Sequence, residues 1–264
     1  MSLADARAFL RQSRNADGSL GYRAGEPGRP EPTLLAAAAL GEPALDWLAA
    51  NELRWSALLL PAVLGGVAGA EGLVTACVAR ILALEGRRVP NDPEISGFDT
   101  EAVAWPWVDD TAPWVEPSAY ALLSLRRVGQ SAHPRAAAGL AMLRDRQCED
   151  GGWNYGNPEV LGATLESDLP FTAWALMAMP PGEPAQRALR RLDAARAVPS
   201  TMTRSLAALA LAAHGQPAVD YAPLILSRQG PDGGFGGRCD WTALAACALA
   251  VIEGEAHPFV GSLA

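Results

Sequence analysis

The residues of this chain best suited to chemistry lie close together, in Ala104-Trp105-Pro106-Trp107-Val108-Asp109-Asp110-Thr111-Ala112-Pro113-Trp114-Val115-Glu116-Pro117-Ser118-Ala119-Tyr120. This stretch carries three of the eight tryptophans and three acids, Asp109, Asp110 and Glu116. An acid here has two readings. At a helix N-terminus a carboxylate satisfies exposed N–H groups and interacts favourably with the dipole, and Glu31, Glu116 and Asp240 all stand where such caps are expected. To protonate carbon, a carboxyl must instead be held neutral and poised by its neighbours. The tryptophans divide in the same way, between wedges packed among helices and ring faces turned toward a cationic centre.

Composition removes many other functions. All 21 basic residues are Arg, so no Schiff-base lysine, phosphate-loop lysine or lysine base exists. The net charge of −8, with basic residues no more clustered than Arg87-Arg88 or Arg190-Arg191, argues against a nucleic-acid partner. Cys77, Cys148, Cys239 and Cys247 lack paired metal-ligand spacing and read as reduced thiols of a cytoplasmic protein. No metal or cofactor is expected. The first ten residues include Asp5 and Arg7 and have no long apolar core, unlike a signal peptide. The most apolar run, Ala57 to Ala70, is broken by Pro61, Gly65 and Gly66 and is too short to span a bilayer.

The positioning elements show through a repeat. Gln147-Cys148-Glu149-Asp150-Gly151-Gly152-Trp153 recurs as Gln229-Gly230-Pro231-Asp232-Gly233-Gly234-Phe235, with a looser copy at Gln12 and Asp17-Gly18-Ser19-Leu20. The three copies are spaced by near multiples of about 40–45 residues, the length of a helix pair. Apolar periodicity, capping residues and Gly stops predict twelve helices: Leu3–Arg14, Pro32–Leu40, Pro43–Glu52, Ser56–Ala68, Glu71–Glu85, Pro117–Val128, Pro134–Gln147, Phe171–Met179, Glu183–Ala195, Ser200–Ala213, Pro217–Arg228 and Trp241–Ile252. Odd-numbered helices carry charged faces, while even-numbered ones are apolar and small all round and therefore buried all round. The expected fold is all-α: six outer and six inner helices closed into one α/α toroid over residues 1–264. Four long outer-to-inner links (15–29, 86–116, 149–169 and 230–240) should emerge at one end. Each inner helix after such a link opens with an acid and a hydroxyl: Glu31-Pro32-Thr33, Glu116-Pro117-Ser118, Asp168 through Thr172, and Asp240-Trp241-Thr242. No run alternates with period two over strand length, so no sheet is expected.

The Gln and Asp-Gly-Gly-aromatic units resemble those of the prenyltransferase and squalene-cyclase repeat family, over the whole chain. That resemblance implies an α/α toroid, but its members differ widely in function. Trp107-Val108-Asp109-Asp110-Thr111-Ala112 resembles the Asp-Xaa-Asp-Asp-Thr-Ala motif of class II terpene cyclases, with Trp107 in place of the first Asp. Trp114-Val115-Glu116-Pro117-Ser118-Ala119 resembles it less in letters but runs directly into an inner helix. The resemblance thus implies Glu116, Asp109 or Asp110 as the acid that starts cyclisation. It also implies Trp105, Trp107, Trp114, Tyr120, Trp174 and Trp241 as contacts for a polyisoprenoid in the lumen. The zinc site of the protein prenyltransferases would need Cys239-Asp240 plus a histidine, but His133, His214 and His257 sit in unrelated contexts, and the Cys-Gly-Glu-Gln run of thioester domains is missing. The alternative is a non-catalytic toroid that binds an apolar ligand or a protein at its long-loop end.

Overall fold

A computed structural model describes residues 1–261. Among these residues there are twelve α-helices: α1 Leu3–Gln12, α2 Pro30–Leu40, α3 Leu45–Ala50, α4 Ser56–Leu64, α5 Glu71–Ala83, α6 Val115–Arg127, α7 Pro134–Asp145, α8 Leu169–Ala178, α9 Glu183–Leu192, α10 Thr201–Ala213, α11 Tyr221–Leu226 and α12 Cys239–Ile252. The even-numbered helices pack side by side as α2–α4–α6–α8–α10–α12, and α12 returns to α2, so the inner ring is closed. The odd-numbered helices lie outside it; α1, for example, packs on both α12 and α2, and α9 packs on α8. No described helix is long and apolar enough to cross a membrane.

Side-chain size explains why the even helices can be inside. In α6, Val115 and the whole of Pro117–Leu125 are buried, and α12 is buried from Thr242 to Ala250. Alanine along these helices costs little entropy and lets neighbours approach closely. The C-terminal carbonyls of the ring are served by arginines from adjacent helices: Arg7 Nε donates to the Ala39 carbonyl (3.0 Å), Arg127 Nε to that of Gly65 (3.0 Å) and Arg126 to that of Met177. A guanidinium offers several donors in a fixed fork and suits this task.

Two features differ from expectation. The outer helices α3 and α11 have six residues each, shorter than the sequence pattern suggests. The link 146–168 contains a small hairpin, β1 Glu159–Val160 paired antiparallel with β2 Ala163–Thr164. Leu161 and Gly162 turn it with positive φ (52° and 73°), as tight two-residue hairpins require. Strands of two residues are too short for alternation to register in sequence.

The repeat unit has a defined mechanical role. Gln147 Nε2 donates to the carbonyls of Gly151 (2.7 Å) and Pro184 (2.8 Å), and Gln229 Nε2 to those of Gly233 (2.8 Å) and Ser2 (3.0 Å). Each Gln thus ties its own loop to the start of the next outer helix. Asp150 and Asp232 accept from the Gly152 and Gly234 N–H groups, and Asp17 from that of Ser19. Gly151, Gly233 and Gly18 all have φ between 81° and 90°, where other side chains are strained. In the first copy Gln12 is not the tie. Arg14, three residues before Asp17, reaches the Glu42 carbonyl ahead of α3.

The aromatic that follows is a wedge held by its own backbone. The N–H groups of Leu20, Trp105, Trp153 and Phe235 donate to the hydroxyls of Thr33 (2.9 Å), Ser118 (3.2 Å), Thr172 (2.9 Å) and Thr242 (3.0 Å). Each hydroxyl belongs to the fourth residue of an inner helix reached by a long link. Trp105 is therefore a fourth wedge, without an Asp-Gly-Gly before it. Its indole N–H bonds the Ile81 carbonyl of α5 (2.7 Å), as that of Trp153 bonds the Leu143 carbonyl of α7 (2.6 Å).

Removing one hydroxyl leaves a buried N–H without a partner. Thr172→Val and Thr242→Val should each lower stability by about 1–3 kcal/mol in urea denaturation. A loss below about 0.5 kcal/mol in both, within the range of neutral surface changes, would show that the hydroxyls do not hold the wedges.

Candidate active site

All six inner helices begin at the same end of the ring, and their first turns enclose a cavity of about 50 Å³. Its lining draws on every inner helix: Glu31 and Leu34 of α2, Leu59 of α4, Glu116 and Tyr120 of α6, Trp174 of α8, Leu206 of α10 and Leu244 of α12. Trp55, which precedes α4, completes the rim. The long links roof this end. Val115 N–H bonds the Tyr155 carbonyl (3.0 Å) and Leu161 N–H that of Ile95 (2.8 Å), joining links 84–114 and 146–168. Cys239 N–H bonds the Tyr22 carbonyl (2.8 Å), joining the first link to the last. A cleft of about 620 Å³, walled by Tyr22, Arg29, Trp47, Asn51 and Arg54, adjoins the cavity and shares Glu31, Trp55 and Ser56 with it.

Three acids occupy the second position of an inner helix: Glu31, Glu116 and Asp240. Their surroundings separate them. Asp240 is clasped by Arg238, whose Nε donates to Oδ1 at 2.8 Å, and is neutralised as an ion pair. Among the described residues no cation stands beside Glu116. Its Oε1 accepts only the Tyr120 hydroxyl (2.7 Å), and its carboxyl takes no backbone N–H, so it does not cap α6. Burial pushes its pKa from 4.5 up to about 7; the Tyr120 hydroxyl opposes this, and the nearby Glu31 and Asp168 carboxylates add to it. Glu31 is raised by the same main cause, burial, with the Tyr22 hydroxyl (2.6 Å from Oε2) pulling the other way. A helix N-terminus favours the charged carboxylate, but desolvation outweighs it here.

Around Glu116 the walls are aromatic. Tyr120 lies 4.8 Å from Trp174 between ring centroids, edge to face, and 6.0 Å from Trp55, stacked. Trp107 backs both Trp55 (5.3 Å) and Tyr120 (6.2 Å) without reaching the cavity.

The structure brings together Glu116, Tyr120 and Trp174 from the sequence-derived set, with Trp107 behind them. It places the others elsewhere. Asp109 lies on an exposed loop, paired with Arg80 at 3.0 Å, and exposed Asp110 has a φ of 61°. Neither borders the cavity, because the Trp107–Ala112 run ends before the chain enters α6. Trp105 is a fully buried wedge. Trp114 precedes α6 and packs on Tyr155 (6.1 Å), while Trp241 is exposed over Gly236 and Arg238 outside the ring. Glu31 and Trp55 were missed. The repeated acid-Pro-hydroxyl opening of α2 and α6 was the signal for Glu31; nothing in the sequence marked Trp55.

The cysteines are all free and buried. Among the described residues no three His, Cys, Asp or Glu side chains converge on a possible metal position. His214 bonds the Leu176 carbonyl (2.8 Å), and His133 accepts the Arg135 N–H (3.1 Å).

The raised Glu116 pKa makes a testable statement about stability. Between 4.5 and about 7 the folded chain keeps a proton that the unfolded chain releases, so this group weakens folding as pH rises through that window. The penalty reaches at most about 3 kcal/mol. Glu116→Gln should flatten that part of the pH profile and be at least as stable as wild type at pH 8, measured by urea denaturation. A loss of about 0.5–2 kcal/mol at pH 8 would reveal a cap instead.

No family model matches the sequence, and no curated protein matches it. Among solved structures, the chain is similar to the type II terpene cyclase MstE from Scytonema without ligand, with a TM-score of 0.54 and 16% identity over 97% of this chain and 74% of that one. A variant of the same cyclase in complex with geranylgeranyl dihydroxybenzoate as substrate gives 0.53 and 17%, over 95% and 76%. A protein from Actinoplanes gives 0.50 and 16%, over 97% and 75%. At such identities the likeness is one of fold. The chain has a terpenoid cyclase-like α/α toroid fold.

Proposed function

We propose that this protein is a terpenoid cyclase-like enzyme in which Glu116 starts cyclisation by protonating the terminal alkene of an acyclic isoprenoid. One observation carries the reading: a carboxyl bonded to a phenol, its pKa raised by burial to about 7, opens into an aromatic-walled cavity made by all six inner helices. The acid proton moves to the less substituted alkene carbon, and the π pair forms the new C–H bond. The tertiary cation left behind is attacked by the next double bond. The faces and edges of Tyr120, Trp174 and Trp55 bound the space where that charge develops, and aromatic faces favour cations. Loss of a proton to water, or back to the Glu116 carboxylate left by the first step, ends the sequence, and the latter restores the acid. The substrate complex of the similar Scytonema cyclase supports a prenyl-bearing ligand.

The volume of the lumen favours a second reading. The cavity of about 50 Å³ is roughly a third of an engineered cavity of about 150 Å³ that binds benzene, so it admits a prenyl end only as side chains re-pack. A toroid that binds an apolar ligand without turnover fits that closure.

Incubation of linear isoprenoids with the protein and gas chromatography of the products separates the two readings. The enzyme reading expects cyclised or hydrated products, a loss of about 10²–10⁴-fold in kcat for Glu116→Gln, and activity that falls above about pH 7. Asp109→Asn should keep full activity. No product from wild type with any isoprenoid that binds leaves the binding toroid.

A further inference from the structure

The cavity is lined from the N-terminal halves of the inner helices. Beyond α12 the chain turns under the ring as a strap. Glu255 accepts two bonds from Arg7 (2.9 and 2.7 Å), the arginine that also serves the Ala39 carbonyl of α2. His257 then anchors the strap to α10. Its Nδ1 accepts the N–H groups of Phe259 (3.2 Å) and Val260 (3.1 Å), so Nε2 carries the hydrogen and donates it to the Leu209 carbonyl (3.1 Å). This double acceptance fixes the backbone of Phe259 and aims its ring into the barrel. The ring is fully buried, with its centroid 5.2 Å from that of Trp174. Trp174 in turn meets Tyr120, and both line the cavity beside Glu116. A column of three aromatic rings therefore runs from Glu116 down to the strap.

We infer that Phe259 is the floor of the lumen and sets the length of acyclic apolar chain that the ring accepts. This rests on the lumen being a ligand site, as proposed above, but not on any reaction there. A chain entering at the N-terminal end of the inner helices passes Glu116 and comes to rest on Trp174, which is supported from below by Phe259. Removing the lower ring takes away that support and leaves an apolar void on the order of 100 Å³, approaching the engineered cavities that bind benzene. Trp174 can then swing down and lengthen the space beside Glu116. The floor is a positioning device: in a catalytic setting it decides which carbon of the chain lies against the acid.

The test is isothermal titration calorimetry of Phe259→Ala, Phe259→Leu, Phe259→Trp and wild type with isoprenoid alcohols of one, two and three isoprene units. Phe259→Ala should shift the preferred length upward by one unit, with the two-unit alcohol bound at least about 10-fold more tightly than by wild type, as burial of the added carbons requires. Phe259→Leu should fall between the two, and Phe259→Trp should bind every alcohol more weakly than wild type. If the alanine variant does not fold, the order of leucine, phenylalanine and tryptophan remains the test. The same length preference in all folded variants, or no binding by any, overturns the inference. Repeating the series in Glu116→Gln separates the two proposals. Graded binding without products from wild type keeps the floor and rejects the enzyme, whereas products with ungraded binding do the reverse.

Discussion

Closure of the inner ring is the constraint on which the rest of this molecule depends. Six helices can pack side by side in a circle only if their side chains are small and apolar on almost every face, as in α2, α6, α8, α10 and α12. Such helices supply few polar partners for their own ends. Their C-terminal carbonyls are met by arginines reaching in from neighbouring helices, and their N-terminal turns by loops wedged in place with one aromatic or aliphatic side chain each. The loops are long at this end because they must carry both the wedge and the roof. Of the polar groups in these first turns, the hydroxyls turn to the loops and Asp240 to Arg238, while Glu31 and Glu116 border the common interior.

That arrangement sets two electrostatic effects against each other at Glu116. The helix dipole is worth roughly 0.3–1 kcal/mol to a carboxylate at an exposed N-terminus, and about 2 kcal/mol in favourable buried geometry. Removal from water costs a buried carboxylate more than that when no cation stands beside it. Arg238 answers the same problem for Asp240 by direct pairing. Glu31 and Glu116 each meet a phenol instead, and burial raises the pKa of both.

Much of the fold was legible in the sequence, for a physical reason: helices buried all round leave runs of alanine and leucine, and Asp-Gly-Gly marks a backbone shape that few other residues allow. The twelve helices follow from those signals. Less was legible where chemistry had been replaced by an equivalent. Arg14 ties its loop to the next outer helix with a different side chain from Gln147 and Gln229, and Trp105 is a wedge with no glycine pair before it. At the site, motif letters and position in the fold point to different acids. Asp109 looks most like a known acid motif, yet it sits beside Arg80 in solvent. Glu116 resembles that motif less but stands one residue inside an inner helix. Trp55 is silent in sequence because its role comes from the crossing of a short link over the cavity rim, a tertiary fact.

The contact between α1 and α12, sealed by Gln229 on the Ser2 carbonyl and Arg7 on Glu255, also has a thermodynamic meaning. In an open solenoid each terminal repeat has one neighbour, and unfolding can start there and travel inward one unit at a time. A ring has no terminal unit. Every helix pair has two neighbours, so loosening any one breaks two interfaces at once, and partial unfolding from an edge has nowhere to begin. The circle thereby turns a stack of weak, similar modules into a cooperative body, in which opening the lumen for a ligand must come from side chains and strap rather than from a repeat peeling away.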